Sequence, residues 1–549
     1  MPDTRFAIGC DFGTESVRVV LVGVDDGTLA ATAAVNYQHG VIDRALPHSL
    51  QPLPPDYALQ HPQDWLDALA AAVRAALAAG GVNARQVVGV GVAFTSCTML
   101  PCLANGTPLC LTESLAATPL AWPRLWKHHG ATAQAERITE IARSRNEKWL
   151  ARYGGVVGVE WLFPKILETL EHAPQVYDAA QVWLEAGDWL VWQLTTGPFP
   201  ACATDALVRS TCQAGYKALW NATDGFPSPD FFAAVHPQLR DVVASRMPGR
   251  LAAPGARAGC LTPAAAALLG LAPHTPVSAA IIDAHAGVPG AGAALPGTLV
   301  MVLGTSSCHM LNSPAEHLIP GIAGVVRDGI LPGLFGYETG QASVGDALAW
   351  VARTTNLSHA QLNDAAALLR PGSGGVLALD WLNGCRTPLM DSRLSGALLG
   401  LTLATRPEQL YRAMIEATAM GVRWIRDALI EGGVPVTRYV ASGGLGQKSP
   451  LLLDIYASVL AQPIERCAVD QPVALGAAIL ARLAAHGTLD AAAVSSAIHA
   501  MAPRDATHVF TPTPAHVADY DRLYQLYRQI AQPSGAAAHT MRSLRQFHH

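Results

Sequence analysis

Arg5-Phe-Ala-Ile-Gly-Cys-Asp-Phe12, a turn at Gly13-Thr14-Glu15, then Val17-Arg-Val-Val-Leu-Val-Gly-Val24: this stretch decides the fold. Asp25-Asp26-Gly27 turns the chain again, and Thr28 to Tyr37 returns as a third β-rich run. β-Branched runs bounded by Gly and Asp turns read as a meander of paired strands. The first turn exposes backbone N–H groups beside the Thr14 and Ser16 hydroxyls, a concave donor set suited to phosphate oxygens. Arg18 adds positive charge, and Asp11 at the strand end offers a hard oxygen to Mg²⁺ through water. The same residues also make an ordinary hairpin with a polar turn. The stretch alone leaves both readings open.

Outward from it, Pro62 opens a helix predicted over Gln63 to Ala79, with Trp65, Leu66, Leu69, Val73 and Leu77 on one face. Gly80-Gly81 stops it, and Val87 to Phe94 reads as a buried strand. The second half repeats the plan. Strand Thr298 to Leu303 meets a turn at Gly304-Thr305-Ser306-Ser307, and Cys308 to Leu311 continues as strand. A long helix, Pro407 to Glu431, keeps Leu410, Met414, Ala417, Gly421, Trp424 and Leu429 near one face. Strand Arg438 to Ser442, a Gly-rich turn, helix Pro450 to Leu460, a strand at Ile464 to Ala468 and helix Leu475 to Ala485 follow. After Pro514 a helix is expected over Val517 to Ile530, then a loosely ordered tail.

Two halves that each open with strand, Gly-Thr turn and strand predict a duplicated α/β architecture with a cleft between lobes. Pro273 and Pro276 place the boundary near Leu271 to Val277, giving lobes 1–275 and 276–549. Gly304, Thr305 and Ser306 have the phosphate-binding chemistry of the first turn without its acid. Asp283 ends the apolar run Ile281-Ile282 and precedes Gly287 and Gly290, a setting for a general base at a cleft. It equally reads as a helix N-cap, and the two roles are compatible. Ser442-Gly443-Gly444-Leu445-Gly446-Gln447-Lys448-Ser449 is not a Walker A loop, because Gln447 stands where Gly is required, and its Gly spacing fails the dinucleotide fingerprint. A Gly-rich strand-to-helix turn still admits a flat ligand such as adenine, or serves as a plain connection.

The 549 residues exceed one ordinary domain, and an apolar half of the sequence with mean hydropathy +0.23 fits large buried cores. A net charge of −5 and a pI near 6.4 offer no basic face for nucleic acid. The N-terminus lacks the apolar run of a secretory signal. Ala284 to Ala315 carries no Asp, Glu, Lys or Arg, yet Pro289, Pro296 and four glycines cut it too short for a membrane span. The ten cysteines form no zinc spacing, and reduced thiols in the cytoplasm are expected.

These segments, in this order, resemble the FGGY carbohydrate kinases over nearly the whole chain. Asp11 to Arg18 resembles the family's first phosphate segment, Ala279 to Ala286 its catalytic-aspartate segment and Leu303 to Ser307 its second phosphate segment. Ser442 to Pro450, followed by Ala474-Leu-Gly-Ala477, resembles its adenosine segment and closing helix. Phe94-Thr-Ser-Cys-Thr-Met-Leu-Pro101, Leu125-Trp-Lys-His-His129, Cys212-Gln-Ala-Gly-Tyr-Lys-Ala-Leu-Trp220 and Gly336-Tyr-Glu-Thr-Gly-Gln-Ala342 are similar to sugar-facing segments of the family's ribulokinase branch.

The resemblance implies a two-lobed actin/hexokinase-like (ribonuclease H-like) fold, with the sugar on the first lobe and the nucleotide on the second. It implies ATP and Mg²⁺ as cofactors, and a ketopentose (L-ribulose, phosphorylated on its C5 hydroxyl in L-arabinose catabolism) as substrate. Asp283 would be the general base, Lys217 and Glu338 would contact the sugar, and Ser96 and Trp126 would line its pocket. The nucleotide would lie on Thr14, Ser16, Arg18, Gly304, Thr305, Ser306, Gly443, Gly444 and Gly446. One position departs: Ala93 stands where ribulokinase-like sequences usually carry an acid. A homodimer is open. Alternative readings are a D-ribulose- or xylulose-specific kinase of the same family, a sugar-binding regulator without turnover, and an actin- or Hsp70-like nucleotide switch, which needs no Lys217 or Glu338.

Overall fold

The structure, a computed structural model, describes residues 4–47, 49–503, 508–544 and 547. The opening meander forms as its sequence dictates. Phe6–Phe12 (β1) is buried at every position and pairs antiparallel with Ser16–Gly23 (β2), which pairs with Leu29–Asn36 (β3). Val87–Phe94 (β4) runs parallel on the other side of β1. Arg257–Cys260 (β5), Pro276–Ser278 (β6) and Ile281–Ile282 (β7) complete the sheet, in the order β3-β2-β1-β4-β6-β5 with β7 beside β4.

The second sheet repeats that core. Thr298–Leu303 (β8), Ser307–Ser313 (β9), Gly324–Arg327 (β10), Phe335–Gln341 (β11), Arg438–Ser442 (β12), Ile464–Arg466 (β13) and Val509–Phe510 (β14) run in the order β10-β11-β9-β8-β12-β13-β14. As in the first sheet, two antiparallel pairings (β11-β9-β8) give way to two parallel ones (β8-β12-β13). β6 and β7 still belong to the first sheet, so the sheets part between Ile282 and Thr298, beyond the 275/276 boundary that the prolines suggested. Pro276 opens β6 because the first residue of a strand tolerates a missing donor.

A helix from each side of this junction locks the sheets together. Pro472–His486 lies flat on the first sheet, and glycines permit it: a Cβ on Gly9 would sit 1.8 Å from the Ala474 carbonyl oxygen. Asp283–Gly290 crosses the same helix as closely, since a Cβ on Gly476 would meet the Ala286 carbonyl oxygen at 1.8 Å. Only a backbone without side chains on that face can approach so far.

Two helices differ from their sequence patterns. Pro407–Glu431 has the predicted bounds but is buried all round from Tyr411 to Val422 instead of along one stripe. Its charges are accommodated by pairing: Arg412 and Glu416, one turn apart, meet at 2.8 Å, and the Tyr520 hydroxyl donates to Glu416 at 3.1 Å. The tail expected to be loose contains a helix, Ala536–Leu544, whose Arg542 reaches Asp391 at 2.7 Å. Among the described residues no helix is long and apolar enough to cross a membrane, and the uncharged run of residues 284–315 divides between the helix Asp283–Gly290, β8 and β9.

Candidate functional site

The parallel strands β1, β4, β7, β8 and β12 end at Phe12, Phe94, Ile282, Leu303 and Ser442, and each carries a singled-out segment at or beyond that end. Carboxyl ends of parallel strands are where α/β sheets place ligands, because loops and helix N-termini converge there.

The first turn closes through the Gly13 N–H to the Ser16 carbonyl, at 2.9 Å. The Tyr37 hydroxyl donates to the Gly13 carbonyl and the Gln60 amide to the Thr14 carbonyl (3.2 and 2.7 Å), so the turn's carbonyls face protein. Trp126, expected in a sugar pocket, is 44% exposed and donates its indole N–H to the Thr14 hydroxyl at 3.2 Å. Arg18 turns back to Asp11, its Nη1 3.4 Å from Oδ2. Burial and the charge of Asp283 push the Asp11 carboxyl up to about 7, against the pull of Arg18.

The second turn is built alike, with the Gly304 N–H on the Ser306 carbonyl at 3.0 Å, and Thr305 and Ser306 exposed. It is fixed from outside by N–H groups of Val344, Gly345 and Asp346, which donate to the Gly304 and Thr305 carbonyls at 3.0–3.2 Å. The Gly-rich stretch is a helix, Gly443–Lys448, rather than an open turn. Gly443 starts it at φ 84°, where a Cβ would press on the Leu303 carbonyl oxygen at 2.6 Å, and the Gln447 amide ties it to the Cys467 carbonyl at 2.9 Å. Gly444 faces open space: nothing lies within 4 Å of a Cβ built there. Gly446 is buried beside Ala441.

Asp283 is the first residue of its helix, with Ile282 in the N-cap position, so the expected N-cap role is displaced by one residue. Its Oδ1 accepts the Ala284 N–H at 2.7 Å. Burial raises its carboxyl above the usual range, opposed by that bond and by the Lys217 ammonium. Lys217 ends the helix Thr211–Lys217, and Glu338 lies in β11 of the second sheet. Lys217 Nζ is 3.4 Å from both Glu338 carboxylate oxygens, and the side chains are 8% and 5% exposed. Burial alone would raise the Glu338 carboxyl, but Lys217, Arg386 and His285 outweigh it and hold it down near about 2.

Register places Ala93 of β4 directly between Asp11 of β1 and Ile281 of β7. With Ala there, Asp11 has an apolar neighbour on that side, and Asp283 follows two residues beyond Ile281 at the start of its helix. Ser96 lies just beyond and donates to Glu185 at 3.0 Å.

Three residues of this region were missed by sequence reading. Arg386 contacts Glu338 directly, from a loop (380–396) without periodicity or motif. His285, 3.5 Å from Glu338 Oε2, is fully buried and held neutral, burial pushing its imidazole down to about 4. Glu185 ends the buried strand Val182–Glu185 just before a helix, the pattern that marked Asp283, so its signal was present in the sequence. Elsewhere, His39, His61 and Asp64 lie close enough to share a cation. Their atoms already have protein partners: Asp64 accepts from His39 Nδ1 and N–H at 2.8 Å each, and His61 Nδ1 accepts the Gln63 N–H at 3.2 Å. The trio reads as the cap of helix Pro62–Gly80.

Comparison with known proteins agrees with this geometry. The N-terminal and C-terminal domain models of the FGGY family of carbohydrate kinases match residues 6–290 and 299–485. A ribulokinase of Geobacillus thermodenitrificans is 45% identical over 96% of this chain and 94% of its own length. One from Mycolicibacterium smegmatis is 41% identical over 98% and 96%. The fold alone is shared with a xylulose kinase from Rhodospirillum rubrum (TM-score 0.77, 24% identity, 96% of this chain and 98% of that one). It is also shared with a Plasmodium falciparum glycerol kinase solved with ADP (TM-score 0.74, 15% identity, 96% and 98%). The repeated sheet, the two turns and the match over both halves lead to one conclusion: the chain belongs to the FGGY family of carbohydrate kinases.

Proposed function

We propose that the protein transfers the γ-phosphoryl group of ATP to the C5 hydroxyl of L-ribulose, giving L-ribulose 5-phosphate and ADP. One observation carries the reading: Lys217 and Glu338, from different halves of the chain, meet in a buried pair whose ammonium acts on Asp283. A nucleotide switch has no use for a desolvated cation and carboxylate beside a raised aspartate. A polyhydroxylated ketone does, since Lys217 can donate to a carbonyl and Glu338 can accept from hydroxyls. The ribulokinase relatives support the choice of sugar.

In this reading Asp283 accepts the proton of the terminal hydroxyl as its oxygen attacks phosphorus, and its raised affinity for a proton suits it to that task. The exposed hydroxyls of Thr305 and Ser306, with Thr14, Ser16 and the turn N–H groups, hold phosphate oxygens. Adenosine lies against the open face at Gly443 and Gly444, beside Gly446. Mg²⁺ fits the donor set through water on Asp11, whose carboxylate Arg18 leaves partly free. Ser96 and Trp126 flank the sugar. Lobe 6–290 thus supplies the base, most sugar contacts and the first phosphate turn, and the second lobe supplies the second phosphate turn and the adenosine surface together with Glu338. Ten thiols without a disulfide accord with a cytoplasmic enzyme.

The test is ADP formation with ATP–Mg²⁺ and L-ribulose, D-ribulose, L-xylulose, D-xylulose or glycerol, side by side. L-ribulose should give the highest kcat/KM. Equal ADP release with and without sugar would sink the kinase reading, and a clear preference for another ketopentose would replace the substrate.

A further inference from the structure

Arg386 lies where the acceptor site meets the second phosphate turn. On one side its guanidinium touches Glu338, and on the other its Nη1 reaches Cys308 Sγ at 3.8 Å. Cys308 and Met310 alternate onto one face of β9, where Met310 is directly opposite Glu338 of β11. Ser306, the last residue of the phosphate turn, directly precedes the first residue of β9, Ser307. Glu338, Arg386 and Cys308 are therefore in contact in series, and β9 joins Cys308 to the phosphate turn through Ser307 alone.

The loop that carries Arg386 is anchored to the same strand. The Thr387 N–H donates to the Gly340 carbonyl at 3.1 Å, and the Gly340 N–H returns to the Thr387 hydroxyl at 3.3 Å. Arg386 is 29% exposed, so the guanidinium keeps an open side. Glu338 is a single carboxylate with two full cations, Lys217 and Arg386, against it. Glu160 acts on both cations as well.

We infer that Arg386 is a catalytic residue whose guanidinium donates to the phosphoryl group in flight between the nucleotide and the acceptor hydroxyl. This rests on the kinase reading above. The bond between the γ-phosphorus and the ADP oxygen breaks, the bond to the acceptor oxygen forms, and the acceptor's proton passes to Asp283. Arg386 gains and loses no proton. It neutralises charge on the equatorial oxygens, as preorganised donors do in a site closed to water.

The rival role for Arg386 is to hold Glu338 for sugar binding, and two variants separate them. Arg386→Lys keeps a cation on Glu338, and Arg386→Ala removes it. For both, kcat, sugar KM and the binding of MgADP with aluminium fluoride and L-ribulose are measured, with and without added guanidinium. Arg386→Ala should lose at least about 100-fold in kcat. Guanidinium should restore part of that loss, and the aluminium fluoride complex should weaken in parallel. Arg386→Lys, which keeps the buried pair and serves if the Ala variant fails to fold, should lose kcat with little change in sugar KM. Normal kcat with only a raised sugar KM in both variants would overturn the inference. A wild-type protein that makes no ADP in response to any ketopentose would fail the kinase reading instead.

Discussion

Lys217 Nζ stands 3.4 Å from both carboxylate oxygens of Glu338, across 121 residues of sequence and from one half of the duplicated fold to the other. The pair joins a helix C-terminus of the first half to β11 of the second, one strand in from the sheet's edge. Any movement of the halves that changed this distance would change the acceptor pocket. In the proposed reading the pair is both a sugar-binding element and a measure of how the halves sit.

Breaking it should cost affinity and stability together. In Lys217→Met, Glu338 keeps Arg386 as a second cation, so the loss of stability should fall at the low end of roughly 3–5 kcal/mol. The KM for L-ribulose should rise at least about tenfold, the effect of some 1.4 kcal/mol. Denaturant unfolding and initial rates on the same preparation check both, and an unchanged KM would remove Lys217 from the sugar site.

Asp283→Asn keeps shape and burial but abolishes the proton acceptor. The expected outcome is a fall in kcat of about 10²–10⁴-fold with L-ribulose binding still measurable by calorimetry. Turnover near that of wild type would assign the base elsewhere.

The two acids at the strand ends give pH a definite sign. The Asp11 carboxyl is raised to about 7 in the fold, so the folded state holds a proton that the unfolded chain has released above its ordinary carboxylate range. Its contribution to stability is complete below the unfolded value of 3.8 and is lost as pH rises through about 7. Asp11→Asn should then gain stability relative to wild type on going from about pH 5 to about pH 8, measured without Mg²⁺. A difference constant across that range would show that Asp11 does not titrate as described.

Two glycines predict opposite outcomes. Gly9→Ala places a methyl 1.8 Å from the Ala474 carbonyl oxygen and must push the helix Pro472–His486 off the sheet. The cost should reach or exceed the upper end of about 1–3 kcal/mol. A Cβ on Gly444 meets no atom within 4 Å, so in Gly444→Ala the melting temperature should stay within about a degree or two while the KM for ATP rises. A normal ATP KM in that variant would move adenosine away from Gly444.

What the sequence disclosed follows from what periodicity and turns encode. β1, β2, β8, β12 and the helices Pro62–Gly80, Pro407–Glu431 and Pro450–Leu460 were legible because each is a continuous apolar pattern between Gly, Pro or Asp signals. The duplicated sheet was legible because both halves open on the same strand-turn-strand pattern. Sequence could not tell that Pro407–Glu431 is buried all round, since a buried Arg412–Glu416 pair looks like a solvated face until its partners are known. Nor could it place β6, whose three residues carry no period of their own, whereas Ile281-Ile282 was legible as the strand that Asp283 ends.

The site divides in the same way. Asp283 and both turns announce themselves locally, and Lys217 and Glu338 entered through the family resemblance. Arg386 was not found, because its meaning lies in contacts with Glu338 and Cys308, made across 48 and 78 residues from a loop without pattern.

Transfer of phosphate to the terminal hydroxyl of a ketopentose is tested most directly by phosphorus NMR of a reaction with ATP, Mg²⁺ and L-ribulose. One new phosphomonoester, coupled to the C5 protons and equal in amount to the ADP formed, is the expected result. ADP accompanied by inorganic phosphate, at the same rate with and without L-ribulose, would contradict it.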